Sequence, residues 1–304
     1  MLQEVFYWIF NMSIIATLTG VLVMIIRQIK KIPRRITVFL WVIPFLRMTL
    51  PVGVNSPYSL MTFLSKVATR TVVVYEPNEN DRISMMNIVQ AADTYSPITY
   101  KVNVLEKIFD IASVIWIIVA IVILLVLAIT YFATINENKA ASHFKDNIYF
   151  SEKVTYPAVY GIINPRIILP LAYKEKNVDL VVLHERMHIK RGDNLWRILA
   201  FAIVAVHWFN PFAWIFFKLF LADIELACDE RVLAKLGDGG AKEYAISLLE
   251  SRQKTSLFVS GFGGARIRAR IENILSYRKM TGLSLIVFIV LLGSIFYVLL
   301  TNAE

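Results

Sequence analysis

The sequence predicts a mainly α-helical integral membrane protein, with four transmembrane helices and a cytoplasmic α+β domain containing an apolar helical hairpin. Three observations predict it. The uncharged runs Val5–Ile26, Ile111–Ile135 and Met280–Ala303 each exceed the roughly 20 residues a helix needs to cross hydrocarbon. Basic residues are bunched: Arg27, Lys30, Lys31, Arg34 and Arg35 follow the first run, and another 21 of the 32 Lys and Arg lie between Asn138 and Lys279. At 57% hydrophobic, the chain is also far from a soluble composition.

Taken in order, residues 1–54 hold two spans joined by a short basic loop. The first is no cleavable signal peptide, because no basic region precedes it and it is too long. The second, between Ile36 and Val54, carries Arg47 and ends in Pro51 and Gly53. A charge there is costly unless it snorkels or faces protein, so Arg47 is expected toward one membrane face. Residues 55–106 form an extracellular loop with strand-like pieces such as Thr71–Tyr75 and no chemical constellation. Residues 107–135 are the third span, 136–279 the cytoplasmic domain and 280–303 the fourth span. The positive-inside rule puts both basic segments in the cytoplasm and both termini outside. Basic residues bordering the spans read as contacts with anionic lipid, and no direct nucleic-acid binding is expected despite the net charge of +9. The single cysteine, Cys228, rules out an intrachain disulfide.

The cytoplasmic segment opens with β-like runs, clearest in TYPAVYGIINPRIILP (155–170), then turns helical. Ile198–Phe217 is a further apolar stretch that would score as a span on its own. Asn210-Pro211 interrupts it, because proline lacks a donor and disfavours helix at the preceding residue. The stretch therefore reads as two helices forming a hairpin or lying in the membrane interface, so that the chain returns to the side it left.

Just before that hairpin stands VVLHERMHIKRGDN (181–194), with His184, Glu185 and His188 spaced H-E-x-x-H. Residues four apart share a helical face, so the two imidazoles can meet one tetrahedral zinc with Glu185 beside the open position. Zinc acidifies its bound water, and a neighbouring carboxylate can take that proton as general base. Just after the hairpin, ADIELACDE (222–230) supplies Glu225 as third ligand and, four residues on, Asp229 to hydrogen-bond a ligand imidazole. Cys228 is an alternative third ligand. The bland readings are a histidine pair satisfied by backbone and water, and a solvated acidic face. His207 reads as a core histidine, Asp193 and Arg191 as bracing or capping residues, and Trp196, Trp208, Phe209 and Trp214 as membrane-interface anchors. Hydrolysis of a peptide also needs the substrate held extended, and Ile167, Ile168 and Leu169, flanked by Pro165 and Pro170, read as the edge strand that would hold it. Tyr244 is the candidate for oxyanion stabilisation.

GIINPRIILP, HERMHIKRGDN, HWFNPFAW and ELACDE, in that order, resemble the zinc peptidase domain of the bacterial β-lactam sensor–transducer family, the antirepressor membrane peptidases of penicillinase and methicillin-resistance operons. The resemblance implies a four-span, gluzincin-like zinc metalloprotease of the bacterial cell membrane, with one Zn²⁺ on His184, His188 and Glu225, Glu185 as general base and Asp229 behind the ligands. It further implies self-cleavage and cleavage of a transcriptional repressor, and it leaves a homodimer open. For self-cleavage, Lys254–Arg270 is the candidate segment by its polar, glycine-containing composition. Sensor members continue into a penicillin-binding domain after the fourth span, whereas this sequence stops at Glu304, as a sensorless relative or a truncated chain would. Two other functions fit parts of the same pattern: a membrane quality-control metalloprotease, and a non-catalytic receptor or scaffold with a structural zinc.

Overall fold

The computed structural model describes residues 1–29, 32–50, 55–60, 62–63, 104–174, 178–237, 239–250, 267–277 and 282–301. Most of the expected outer loop, including Thr71–Tyr75, and most of the Lys254–Arg270 segment lie outside the described residues. Helices dominate. Helix α1 (Leu2–Arg27) and helix α4 (Val104–Glu137), whose apolar stretch overlaps Lys107–Ala140, are the two described helices long and apolar enough to cross a membrane. The segment expected as the second span is built of two short helices, α2 (Arg34–Leu40) and α3 (Val42–Thr49), meeting at Trp41. Pro44 accounts for the break, since it cannot donate the backbone hydrogen bond that would carry one helix past Leu40. The last helix, α10 (Gly282–Leu300), has 19 residues.

Arg47 does not snorkel. It is fully buried, and it donates from Nε to Leu299 O (2.9 Å) and from a terminal nitrogen to Thr301 O (2.6 Å). Carbonyls at a helix C-terminus have no partner within the helix, and Arg47 supplies donors to those at the end of α10.

The interrupted apolar stretch is a helical hairpin, α6 (Asp193–Val206) and α7 (Pro211–Leu236). Pro211 opens α7, where a missing donor costs nothing, and the Asn210 side chain accepts from Phe212 N at 2.9 Å. The tip is inserted between α1 and α4. Asn210 Nδ2 reaches Ser13 Oγ (2.7 Å) and Thr17 Oγ1 (2.8 Å) on α1, and Phe209 joins Phe6 and Phe10 while Trp208 packs with the same cluster at Phe109 and Trp116. Polar groups buried there need protein partners. Trp116 Nε1 donates to Val206 O (2.7 Å), Trp214 Nε1 to Trp208 O (3.0 Å), and His207 Nε2 to Met48 O (2.9 Å). Trp208, Phe209 and Trp214 thus build the turn instead of anchoring a membrane surface, and His207 is a core histidine.

Between α4 and the hairpin lies a four-stranded sheet of β1 (Ser142–Lys145), β2 (Ile148–Ser151), β3 (Ala158–Tyr160) and β4 (Arg166–Pro170), in the order β1-β2-β4-β3. This order corrects the expected role of Ile167, Ile168 and Leu169. Strand β4 pairs with β2 in parallel on one side and with β3 antiparallel on the other, and all three side chains are fully buried. With both backbone edges paired and no side chain exposed, it cannot accept an added strand. The edge on that side belongs to β3. Helix α5 (Asp179–Arg191) packs on the sheet through Val178 and Val182, and ends at Gly192, whose φ of 65° provides a left-handed cap. Helix α8 (Gly240–Glu250) and a helix α9 over 267–275 close a second core around Met187, Cys228, Val232, Tyr244 and Ile274.

Helices α1 and α7 meet at Gly20, where an added Cβ would lie only 2.2 Å from Cε2 of the fully buried Phe216 ring. Gly20→Ala is expected to destabilise the protein by about 1–3 kcal/mol through overpacking. Thermal unfolding in detergent checks this, and an unchanged midpoint would mean that the two helices are not in contact there.

Candidate metal centre

Helix α5 presents His184 and His188 one turn apart, both buried, with their rings edge-to-face and Nε2 atoms 3.1 Å apart. What lies behind each ring fixes its proton. His188 Nδ1 donates to Asp193 Oδ2 at 2.6 Å. Asp193 stands there because the left-handed turn at Gly192 starts α6 immediately and folds its first carboxylate back over α5. His184 Nδ1 lies 2.8 Å from Tyr244 Oη, and that hydroxyl spends its one proton on Asp229 Oδ1 at 2.6 Å. It must therefore accept from His184. When neutral, both imidazoles then carry their one proton on Nδ1 and turn bare Nε2 lone pairs toward one point. Two acceptors at that separation repel unless a cation lies between them, so the donor set fits a metal ion.

Two side chains of α7 compete to be the third donor. The Glu225 oxygens lie 3.6 Å from each Nε2, Oε2 facing His184 and Oε1 facing His188. Cys228 forms with the two histidines a buried group whose ligand atoms all fall within 4.8 Å of one another. Its Sγ is also 3.5 Å from His184 O, a backbone acceptor that Glu225 lacks. Glu225 is in turn shared with guanidinium groups, Arg197 at 2.6 Å from Oε1 and Arg270 at 3.3 Å from Oε2. Burial raises the Glu225 pKa, but His188, His184, Arg270 and Arg197 together hold it well below the ordinary value. Burial lowers the His188 pKa, and Cys228, Glu225 and Asp193 more than reverse this, pushing it up to about 9.

Asp229 is fully buried, but it does not bond the imidazole directly, its Oδ1 lying 3.5 Å from His184 Nδ1. It acts through Tyr244 and is itself clamped by Arg270, which donates from Nε to Oδ2 (2.8 Å) and from a terminal nitrogen to Oδ1 (2.7 Å). That arrangement corrects the expectation for Tyr244. The hydroxyl sits on the Nδ1 side of His184, away from Nε2, and its proton is committed to a carboxylate, so it braces the ring and cannot stabilise an oxyanion. Glu185 is buried next to the pair and makes no ion pair among the described residues. Tyr160 of β3 lies near enough for the Glu185 charge to add to burial and Tyr156 in raising its phenol pKa. Arg197, Arg270 and Tyr160 carry no motif and were not legible in the sequence. Asp193 was, since its position after a helix-ending glycine marks it as a brace.

A family model described as BlaR1 peptidase M56 matches residues 7–274. The chain belongs to this metallopeptidase family. Among M56 relatives, it is 31% identical over 173 residues to the regulatory protein BlaR1 of Bacillus licheniformis, covering 50% of this chain and 29% of that protein. It is 27% identical over 145 residues to the methicillin resistance mecR1 proteins of Staphylococcus aureus and Staphylococcus epidermidis, covering 44% of this chain and 25% of theirs. The matched stretch thus spans less than a third of either relative. Membership places the chain in a peptidase family whose named relatives here are a regulatory protein and methicillin resistance proteins.

Metal binding separates the two donor sets. His184→Ala and Glu225→Gln are expected to lower metal content at least about tenfold, and Asp193→Asn to weaken affinity about 10–100-fold. Cys228→Ser should leave content unchanged, whereas its loss there would make the thiol the third donor. His188 holds its second proton up to about 9, and although burial lowers the His184 pKa, Cys228 and Glu225 hold it well above the ordinary value, so metal must displace a proton from each ring. Affinity should therefore rise by more than about tenfold per pH unit between pH 6.5 and 8.5, read by chelator competition.

Proposed function

We propose that this M56 chain is a zinc endopeptidase working at the cytoplasmic face of the bacterial cell membrane, and that it signals by cleaving itself and a cytoplasmic transcriptional repressor. The observation that carries the catalytic part is the convergence of the His184 and His188 Nε2 atoms and the Glu225 carboxylate beside Glu185, the one acid of the cluster without an arginine partner among the described residues. A purely structural zinc site has no use for such a carboxylate.

In this reading His184, His188 and Glu225 would hold the ion. When bound, zinc supplies Lewis-acid polarisation of the scissile carbonyl and acidifies water. Glu185 takes the proton of the attacking water and delivers it to the departing amine. Asp193 and Tyr244 keep both ligand rings in the tautomer with Nε2 bare. The substrate adds as a strand to β3, whose Tyr160 neighbours Glu185, rather than to β4. Asn194 Nδ2, bonded to Val159 O (3.0 Å) and Gly161 O (3.2 Å), ties that edge to the start of α6.

The membrane part of the proposal is a four-span topology with both termini outside, in which α2–α3 and α10 complete the set begun by α1 and α4. It is supported by the basic loop after Arg27, by the Arg47 link between α3 and the end of α10, and by the hairpin that brings Glu225 back to the histidines. Repressor cleavage is taken from what the M56 relatives are named for, regulation and methicillin resistance. A homodimer in the lipid bilayer is compatible with it.

The decisive comparison is wild type against Glu185→Ala in membranes, with fragments of the chain and of a co-expressed repressor identified by mass spectrometry. Cleavage should fall by about 10²–10⁴ while metal content stays the same. Identical fragments from both would remove the peptidase reading. Intact self-fragments without a repressor fragment would leave the enzyme and remove the signalling partner.

A further inference from the structure

A cavity of about 590 Å³ adjoins the centre on the side away from the sheet, walled by α1, α4, α6, α7 and α9. Its lining divides by chemistry. Arg27, Arg197, Lys218 and Arg270 line it beside one acid, Glu225, with Arg27 and Arg270 also paired to Asp223 and Asp229 behind the wall. The rest is apolar, chiefly Leu127, Ile198, Phe201, Phe217 and Leu221. Arg27 is the last residue of α1 and stands where that apolar helix ends, while Arg197 and Lys218 directly adjoin the apolar wall through their chain neighbours Ile198 and Phe217.

The cationic end has capacity to spare. Arg27 bonds Asp223 through Nε, Arg197 bonds Glu225 through a terminal nitrogen, and each guanidinium has five donors. Arg197 Nε is buried with no hydrogen-bond partner among the described residues, an orphan that an anion would satisfy. A peptide suits the space less well, because neither the β3 edge nor any residue of α5 lines it, and a bound backbone would find no strand to pair with.

We propose that this cavity binds an anionic glycerophospholipid of the adjoining leaflet, its phosphate held by Arg27, Arg197 and Lys218 and its acyl chains running along Leu127, Ile198, Phe201 and Phe217. The inference rests on the proposed membrane placement of α1 and α4 and not on catalysis. Occupancy is coupled to the centre, since the phosphate draws on Arg197, the same guanidinium that bonds Glu225 Oε1 at 2.6 Å. The lipid thus acts on the third metal donor from behind, shifting how tightly arginine holds it.

The test uses the full chain in symmetric vesicles containing photoactivatable phosphatidylglycerol or, in parallel, photoactivatable phosphatidylcholine, with labelled residues mapped by mass spectrometry. The glycerol lipid is expected to label Phe201 and Phe217 at least about fivefold more than the choline lipid, and Lys218→Glu to remove most of that preference. Exposed Ile121, Val122 and Leu125 of α4 serve as the control for insertion and should be labelled equally by both. Labelling of α4 without the cavity would overturn the lipid site and leave the membrane placement standing. Labelling of neither would overturn both. Equal cavity labelling by the two lipids, or cavity labelling displaced by an added repressor peptide but not by unlabelled phosphatidylglycerol, would also overturn the assignment, the latter in favour of a peptide subsite.

Discussion

Four acids on one helix hold the two parts of this molecule in register. On α7, Asp223 and Glu230 are seven residues apart and face the corner between α1 and α2. Asp223 accepts from Arg27 Nε (2.7 Å) and from Trp41 Nε1 (2.8 Å), while Glu230 accepts from the backbone nitrogens of Arg34 (2.9 Å) and Arg35 (3.3 Å) at the start of α2. Glu225 and Asp229 are four apart and face the histidines. Buried acids are expensive, and removing one partner from a buried pair costs about 3–5 kcal/mol, so a rotation of α7 would strand acids on both faces at once. The helix has essentially one azimuth available to it.

That constraint makes the apolar hairpin necessary. Glu225 must reach histidines on α5, which lies before the hairpin in the chain, so α6 and α7 must enter and leave on the same side. The depth of the tip follows from the length of α7, which runs beside α1 from Ser13, bonded to Asn210, past Gly20, against Phe216, to Arg27, bonded to Asp223. Tryptophan and histidine donors at the tip then supply what water cannot. The half that carries the histidines is in this sense suspended from the half built on α1 and α2, and the shared element is a single helix.

Much of this was legible in the chain. The histidines and Glu185 announce themselves by spacing, and Glu225 with Asp229 by a second helical pair after a proline-broken apolar run. The two long apolar helices, α1 and α4, needed only length and composition. What escaped depends on contacts between distant segments. Nothing in RIRAR distinguishes Arg270 from its two neighbours, since its role exists only because α9 docks where Asp229 is. Strand order is equally silent: two prolines around Ile167–Leu169 fit an edge strand, yet β2 pairs in parallel from outside the motif and turns β4 into an interior strand. Arg47 read as a charge to be kept near a surface because its acceptors, Leu299 O and Thr301 O, stand more than 250 residues away in the chain.

The same separation explains how the centre is organised. The two rings come from one helix, but the groups that orient them come from others: Asp193 from the start of α6, Asp229 from α7, Tyr244 from α8, and Arg270, which clamps Asp229, from α9. An H-E-x-x-H helix by itself leaves each imidazole free to choose either tautomer and to rotate. Here the proton on each Nδ1 is set by an acceptor that exists only in the folded domain, so bare Nε2 atoms facing each other are a property of the tertiary structure and not of the motif. Once both rings are neutral, two Nε2 lone pairs face each other at 3.1 Å, an opposition that a shared cation relieves. Local pattern supplies the ligands, and the packing of α6, α7, α8 and α9 supplies the reason they can act as ligands.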